Sequence, residues 1–282
     1  VDPSRALGGA PLSGPDRVTI VAEAAQGFEG DPTLARMLVR AAAVGRADLV
    51  KFQLVFADAL APPAYRHHAL FRQLEMPEAA WETVAAEAAR RGVGLVFDVY
   101  GPASLRLAAK LGAQVVKVHS TDFFNQSLID AAVAEIARVF FSAGGIEADE
   151  VAALLERVGR DAERLTLLYG FQSEPTATAD NHLRRLAAYR HRFPGLALGF
   201  MDHADGASDE AGWLGVLALP LGVSVIEKHI TLDRSLQLED YVSALTPTEF
   251  AAYVRRIRTA EAALGSPELA LSPAERTYRR KA

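Results

Sequence analysis

A chain of 282 residues, half of them hydrophobic and carrying a net charge of −5, is long enough for one large core or two small ones. No apolar run approaches the ~20 residues that a membrane span requires, and no basic block inside the chain offers a nucleic-acid surface. The absence of cysteine rules out disulfides and thiolate metal sites and fits a reducing, cytoplasmic setting, which leaves small molecules, anionic ones included, as the expected partners.

Residues 1–16, rich in Pro, Gly and small side chains, read as a loose lead-in without the apolar core of a signal peptide. Strand-like runs then recur at 17–23 (RVTIVAE), 49–53 (LVKFQ), 94–99 (GLVFDV), 115–119 (VVKVH), 139–143 (VFFSA), 165–170 (LTLLYG), 197–202 (ALGFMD) and 223–229 (VSVIEKH). Amphipathic helical patterns alternate with them at 32–44, 78–91, 103–111, 127–137, 148–158, 180–193, 207–218 and 247–264. Asp31-Pro32 and Thr246-Pro247 each pair an N-cap with proline at the first helical position. Eight β–α units over residues 17–265 predict an α/β fold, a (β/α)8 TIM barrel. A doubly wound open sheet is the runner-up, and no GxGxxG follows the first strand to favour its dinucleotide-binding form. Residues 54–77 form an excursion too long for a plain connection, expected to pack over one barrel end, and residues 266–282 read as a linker or tail.

Barrel enzymes carry their chemistry at the C-terminal ends of the strands. Here those ends bear Glu23, Lys51 with Gln53, Asp98, Lys117 with His119, Ser142, Asp202 with His203, and Glu227 with His229. Side chains alternate along a strand, so Lys51 and Gln53 share a face, as do Glu227 and His229, while Lys228 points toward the helices. Any one charged strand end is ordinarily just where the chain meets solvent; polar groups at seven ends of eight locate a site without naming its chemistry.

The lysines narrow it. Of 30 Lys and Arg residues only Lys51, Lys110, Lys117, Lys228 and Lys281 are lysine, so positions that remain lysine in an arginine-rich chain call for a compact ammonium on a flexible stem. Lys51 and Lys117 suit a Schiff base or an anionic substrate, or form ion pairs with Glu23, Asp122 or Glu227. His203 and His229 end neighbouring strands, about 4.8 Å apart in any sheet. They either hydrogen-bond separately or share a divalent metal such as Mn, Mg, Co, Fe or Zn, completed by water or substrate. His67, His68, His182 and His191 fall in loop or helix contexts and are expected at the surface.

Several segments together resemble the sialic acid (N-acetylneuraminate) synthase family: IVAEAAQGFEGDPTLARMLVRAAAVGRADLVKFQ, LFRQLEMPEAAWETVAAEAARRGV, VVKVHSTDFFNQSLI, FSAGG, GFQSEPT, FMDHADG and VIEKHITLDRSLQLEDYVSAL. The likeness runs in register from about residue 17 to 265, and "VKFQ" with "DH…VIEKHxTLDR" is its most specific part. It implies a TIM barrel that condenses phosphoenolpyruvate with an open-chain aldose or N-acetylhexosamine to a 2-keto sugar acid, releasing phosphate. By that resemblance His203 and His229 hold a divalent metal, usually Mn2+ or Mg2+. Lys51, Gln53, Lys117, Ser120 and Ser142 match the family's phosphoenolpyruvate site, Gln172 is a further substrate-binding position, Glu23, Asp122 and Glu227 act as acids and bases beside the catalytic Lys117, and Asp240 binds the sugar.

The chain departs from the family pattern at Val99, where a threonine is usual, and at Met201, where a serine precedes Asp-His. Gln172 and Glu174 stand for the family's asparagine and tyrosine, and Gln237-Leu238-Glu239-Asp240 replaces "PGPD". Val99 and Met201 remove hydroxyls expected to hold phosphoenolpyruvate. Family members continue past the linker into a small antifreeze-like domain that, in a homodimer, covers the partner's barrel mouth; this sequence ends at Ala282. A sugar acid synthase is the first reading. A metal-dependent aldolase or lyase using another enolate, and a non-catalytic barrel subunit, are the alternatives.

Overall fold

A computed structural model describes residues 17–282; the lead-in over 1–16 lies outside them. Each run of β-branched and aromatic residues forms a strand: β1 (Thr19–Ala25), β2 (Leu49–Gln53), β3 (Gly94–Val99), β4 (Val115–Val118), β5 (Arg138–Ser142), β6 (Leu165–Tyr169), β7 (Ala197–Asp202) and β8 (Val225–His229). They pair in parallel and in sequence order, and β8 closes onto β1. The closed barrel decides between the two predicted architectures. Its register places Glu23 beside both Lys51 and His229, Asp98 beside Gln53 and Lys117, and Glu227 beside Met201.

The helices α1 (Pro32–Val44), α2 (Ala57–Leu60), α3 (His68–Leu74), α4 (Glu78–Arg91), α5 (Pro102–Lys110), α6 (Gln126–Glu135), α7 (Ala148–Val158), α8 (Arg184–Arg192), α9 (Leu214–Ala218), α10 (Pro247–Leu264) and α11 (Pro273–Arg279) complete the chain. Four match the predicted patterns end to end, because local signals delimit them. Asp31 caps α1 by accepting from Thr33 N–H at 2.6 Å, and Thr246 with Glu249 forms a capping box at α10. Two predicted helices are shorter. The pattern over 180–193 becomes a 3-10 turn (Thr178–Asn181), a left-handed His182 and then α8. The glycine-punctuated 207–218, poor in helix propensity, divides into a turn (Glu210–Gly212) and α9.

The 54–77 excursion holds α2 and α3 and buries Leu54, Val55, Leu74 and Met76. It rests on the loop after β1: a Cβ on Gly30, at φ +76°, would meet the Gln73 carbonyl oxygen at 2.1 Å. Residues 266–282, expected as a plain linker or tail, contain α11, nucleated by a Ser272–Glu275 capping box and exposed throughout. Among the described residues no helix is long and apolar enough to cross a membrane.

Two cores follow from the alternation of side chains. A small one of Val21, Leu49, Val96, Val115, Phe140, Leu168, Met201 and Val225 fills the barrel interior. The larger lies between the strands and the helices. Lys228 belongs to that outer layer, as its position in the alternation predicts. It is fully buried, 3.1 Å from Asp202 Oδ1, and donates to the Ala204 carbonyl at 2.9 Å. Removing one partner of such a pair strands a buried charge. Lys228→Met should therefore destabilise the fold by about 3–5 kcal/mol in denaturant titration, and Lys228→Met with Asp202→Leu by clearly less. Equal losses in the single and double variants would rule out this account.

Candidate active site

One layer above the apolar plug, toward the C-terminal mouth, the barrel interior becomes ionic. Lys51 Nζ lies against a Glu23 carboxylate oxygen, 2.6 Å from Asp98 Oδ2 and 3.4 Å from Glu227 Oε1. Lys117 Nζ lies 2.9 Å from Glu227 Oε1 and 3.9 Å from Asp98 Oδ2. All five residues are at most 2% exposed. Three carboxylates thus surround two ammonium groups, and full ionisation would leave one net negative charge in a medium that solvates it badly. The imbalance is relieved by a proton on Glu23. Burial, reinforced by Glu227 and Asp98 against the opposing Lys51, raises its pKa from 4.5 to about 8. Burial would also raise Glu227, but Lys117 and Lys51 overcome it and hold that carboxyl well below the usual range. Burial opposes the charge on Lys51, yet Asp98, Glu227 and Glu23 together raise its pKa well above the ordinary value.

A pH dependence follows from Glu23. Its folded pKa lies above its unfolded one, so the stability gained by holding this proton is complete below about pH 4.5 and is lost as pH rises through about 8. Glu23→Gln fixes the neutral state. Across that window the Tm of the wild type should fall relative to that of the variant, and parallel profiles would show that Glu23 does not hold the proton.

At the mouth, the ends of β4, β5 and β6 form a polar cradle. Ser120 and Ser142 hydroxyls both donate to Gln172 Oε1, at 3.0 and 3.1 Å, and Gln172 Nε2 lies 3.4 Å from His119 Nε2. Burial lowers the His119 pKa to about 4, so its ring is a neutral donor or acceptor. Gln53 lies on the other side and accepts from Gln26 Nε2 at 2.7 Å. Met201 reaches the same interior, 3.8 Å from the Ser142 hydroxyl.

The ends of β7 and β8 place the His203 and His229 rings 5.0 Å apart. Burial lowers the pKa of both, to about 4 for His203 and well below the ordinary value for His229, so they are neutral imidazoles with lone pairs available. His203 Nδ1 is buried without a hydrogen-bond partner, as are Glu227 Oε2 and Asp98 Oδ1. Buried orphans of this kind are rare. Among the described residues no group of three or more His, Cys, Asp or Glu side chains is arranged to hold a metal ion; the paired imidazoles suit a divalent ion whose remaining ligands are water or substrate. Asp240, held at φ +62°, brings Oδ2 to 4.0 Å from His229 Nδ1. Burial and then Glu174 raise its carboxyl to about 8.

Two expectations are corrected. Asp122 does not join the lysines: its carboxylate accepts from Asn125 Nδ2 at 3.1 Å and Thr121 Oγ1 at 3.3 Å in its own turn, because the strand ends at Val118 and the chain turns away. Asp98 takes that place. Val99 does not face the ligand space either; next to inward-facing Asp98, it points outward and packs in the outer core. The sequence marks Asp98 and His119 as strand ends without pointing to a role for either. The signal for Asp98 was an aspartate two residues from interior Val96 in a strand otherwise apolar.

The NeuB family model matches residues 38–268. The chain belongs to the NeuB family. It is an enzyme of the synthase class, as its named relatives are. It is 28% identical to the N,N'-diacetyllegionaminic acid synthase of Legionella pneumophila over 88% of this chain and 74% of that protein. It is also 28% identical to the mouse N-acetylneuraminate-9-phosphate synthase, over 91% of this chain and 74% of that one. The NeuB-family barrel superposes on the crystal structure of an N-acetylneuraminic acid synthetase from Leptospira borgpetersenii with a TM-score of 0.86. That alignment has 24% identity and covers 95% of this chain and 92% of that one; at this identity the likeness speaks for the fold alone.

Proposed function

We propose that this chain condenses phosphoenolpyruvate with an open-chain aldose or N-acetylhexosamine derivative, forming a 2-keto sugar acid and releasing phosphate with the help of a divalent metal. The observation that carries this reading is the Lys51–Lys117 cluster with its three carboxylates in the same barrel mouth as the paired imidazoles of His203 and His229. An anionic enol needs compact cations that are already in place. Lys51 and Lys117 supply them, and Ser120, Ser142 and Gln172 offer hydrogen bonds to carboxylate or phosphate oxygens.

C3 of the enol forms the new bond to the aldehyde carbon, water adds at C2, and the C2–O bond breaks as phosphate departs. The aldehyde oxygen must gain a proton, and Glu23 holds one at neutral pH. The added water must lose one, and ionised Glu227, with Oε2 unpartnered, is the acceptor. A divalent ion, when bound by His203 and His229, would polarise the aldehyde as a Lewis acid. Asp240 and Glu174 flank the acceptor side. The family's use of a homodimer extends to this chain as part of the proposal, as does a cytoplasmic location.

The deciding assay is phosphate release from phosphoenolpyruvate with Mn2+ across a panel of aldoses and N-acetylhexosamines. Release that depends on the aldose supports the condensation. Carbon–carbon cleavage of a sugar acid without phosphate would replace it with an aldolase.

A further inference from the structure

A second cavity opens outside the barrel wall, and the reaction described above makes no use of it. Its volume is about 360 Å³, at the lower end of the range for small-molecule sites. The loop after β5 forms one side with Gly144 and Gly145, and Tyr169 at the end of β6 forms the floor. Asp180, His182, Arg185 and Tyr189 close the other side.

This lining is chemically mixed. The Arg185 guanidinium lies near the Tyr169 hydroxyl, which itself donates to the Asn181 carbonyl at 3.0 Å. Arg185 is exposed, and it appears in none of the ion pairs among the described residues. His182 is held in the left-handed region at φ +43°. The Tyr169 and Tyr189 rings are 5.8 Å apart. A guanidinium and an imidazole suit a carboxylate, an aromatic wall suits the apolar face of a pyranose ring, and Asp180 and the tyrosine hydroxyl suit ring hydroxyls.

One side of the cavity, the Gly144 loop, sits against Gln172 of the polar cradle. A Cβ on Gly144 would lie 2.6 Å from Gln172 Oε1 and 2.9 Å from the Gly170 carbonyl oxygen, so the loop rests directly on Gln172. That same oxygen accepts from Ser120 and Ser142. Whatever moves the Gly144–Gly145 turn moves the group that organises the cradle.

We propose that this cavity is a second binding site, for a sugar acid, whose occupant weakens phosphoenolpyruvate binding through Gly144 and Gln172. The carboxylate pairs with Arg185 and His182, and the ring lies against Tyr189. The proposal rests on the functional reading above in one respect, that a sugar acid is the class of product formed, so the site acts as a product sensor.

Calorimetric titration of N-acetylneuraminate into the wild type and into Arg185→Ala tests the site without requiring turnover. Losing a charge-assisted hydrogen bond should weaken binding by at least about tenfold. Equal affinities would overturn the site, as would inorganic phosphate or uncharged N-acetylglucosamine binding to the wild type as tightly as the acid. With active enzyme, the sugar acid should raise the KM for phosphoenolpyruvate in the wild type. Arg185→Ala should remove most of that rise while keeping the uninhibited kcat within about twofold. A product that competes only in the barrel would raise KM equally in both, and that result would overturn the coupling. An enzyme that releases no phosphate with any aldose but still shows the calorimetric difference would overturn the functional reading and keep the site.

Discussion

Lys51→Met is expected to lower kcat/KM by about 10³-fold and to destabilise the barrel by about 3–5 kcal/mol. The two losses have one origin. Lys51 is in contact with Glu23, Asp98 and Glu227 at once and is fully buried. Methionine matches its stem and removes its charge, so three carboxyls are left with Lys117 alone. Part of the damage is absorbed by protonation, which is why the stability loss should grow as pH rises. Glu23→Gln in the Lys51→Met background should restore part of the stability and none of the activity, because it neutralises a carboxyl without returning the cation that holds the substrate anion. In a domain of this size each 1 kcal/mol moves Tm by roughly 2–4 °C. A Lys51→Met protein that melted within 2 °C (roughly 1 kcal/mol) of the wild type would show that the cluster is not electrostatically tight.

His229→Ala should abolish binding of Mn2+ and activity together while the far-UV circular dichroism is unchanged. His229 is neutral in the fold, so its removal strands no charge, and the cost is packing alone. His203→Ala should behave in the same way, and the double variant should be no worse than either single one, if both rings serve one ion as proposed. Metal content of the dialysed proteins by elemental analysis checks this directly. Undiminished metal in His229→Ala would sink the two-imidazole site even if activity were lost.

The contrast between these two predictions reflects the construction of the mouth. The lysine cluster is structural as well as chemical: its charges are buried in the first polar layer over the apolar plug, and the barrel cannot close around them unless they balance. The imidazoles sit at the strand termini, neutral, with His203 Nδ1 unsatisfied, so the fold is expected to tolerate their loss while the proposed chemistry is not. Glu174 stands beside the Asp240 carboxyl, where the family resemblance leads one to expect tyrosine, and Leu238-Glu239 takes the place of the glycine-proline approach to the retained Asp240. The acceptor side is therefore the part of this barrel that departs furthest from the pattern it resembles.

The linear chain determined the strands, most helix ends, and the face each strand residue presents. Period-two alternation alone separates Lys228 from Glu227 and His229, and caps such as Asp31 and Thr246 act within a single turn, so both are written locally. It also carried the lysine bias and the His203/His229 pair. Tertiary structure decided which charges meet. Asp98 replaced Asp122 as a partner of the lysines because barrel closure and shear set which strand positions share a level, and the chain's exit after Val118 takes Asp122 out of that level. The proton on Glu23 is likewise absent from any local pattern: it results from three carboxylates and two ammonium groups, drawn from β1, β2, β3, β4 and β8, being enclosed together away from water.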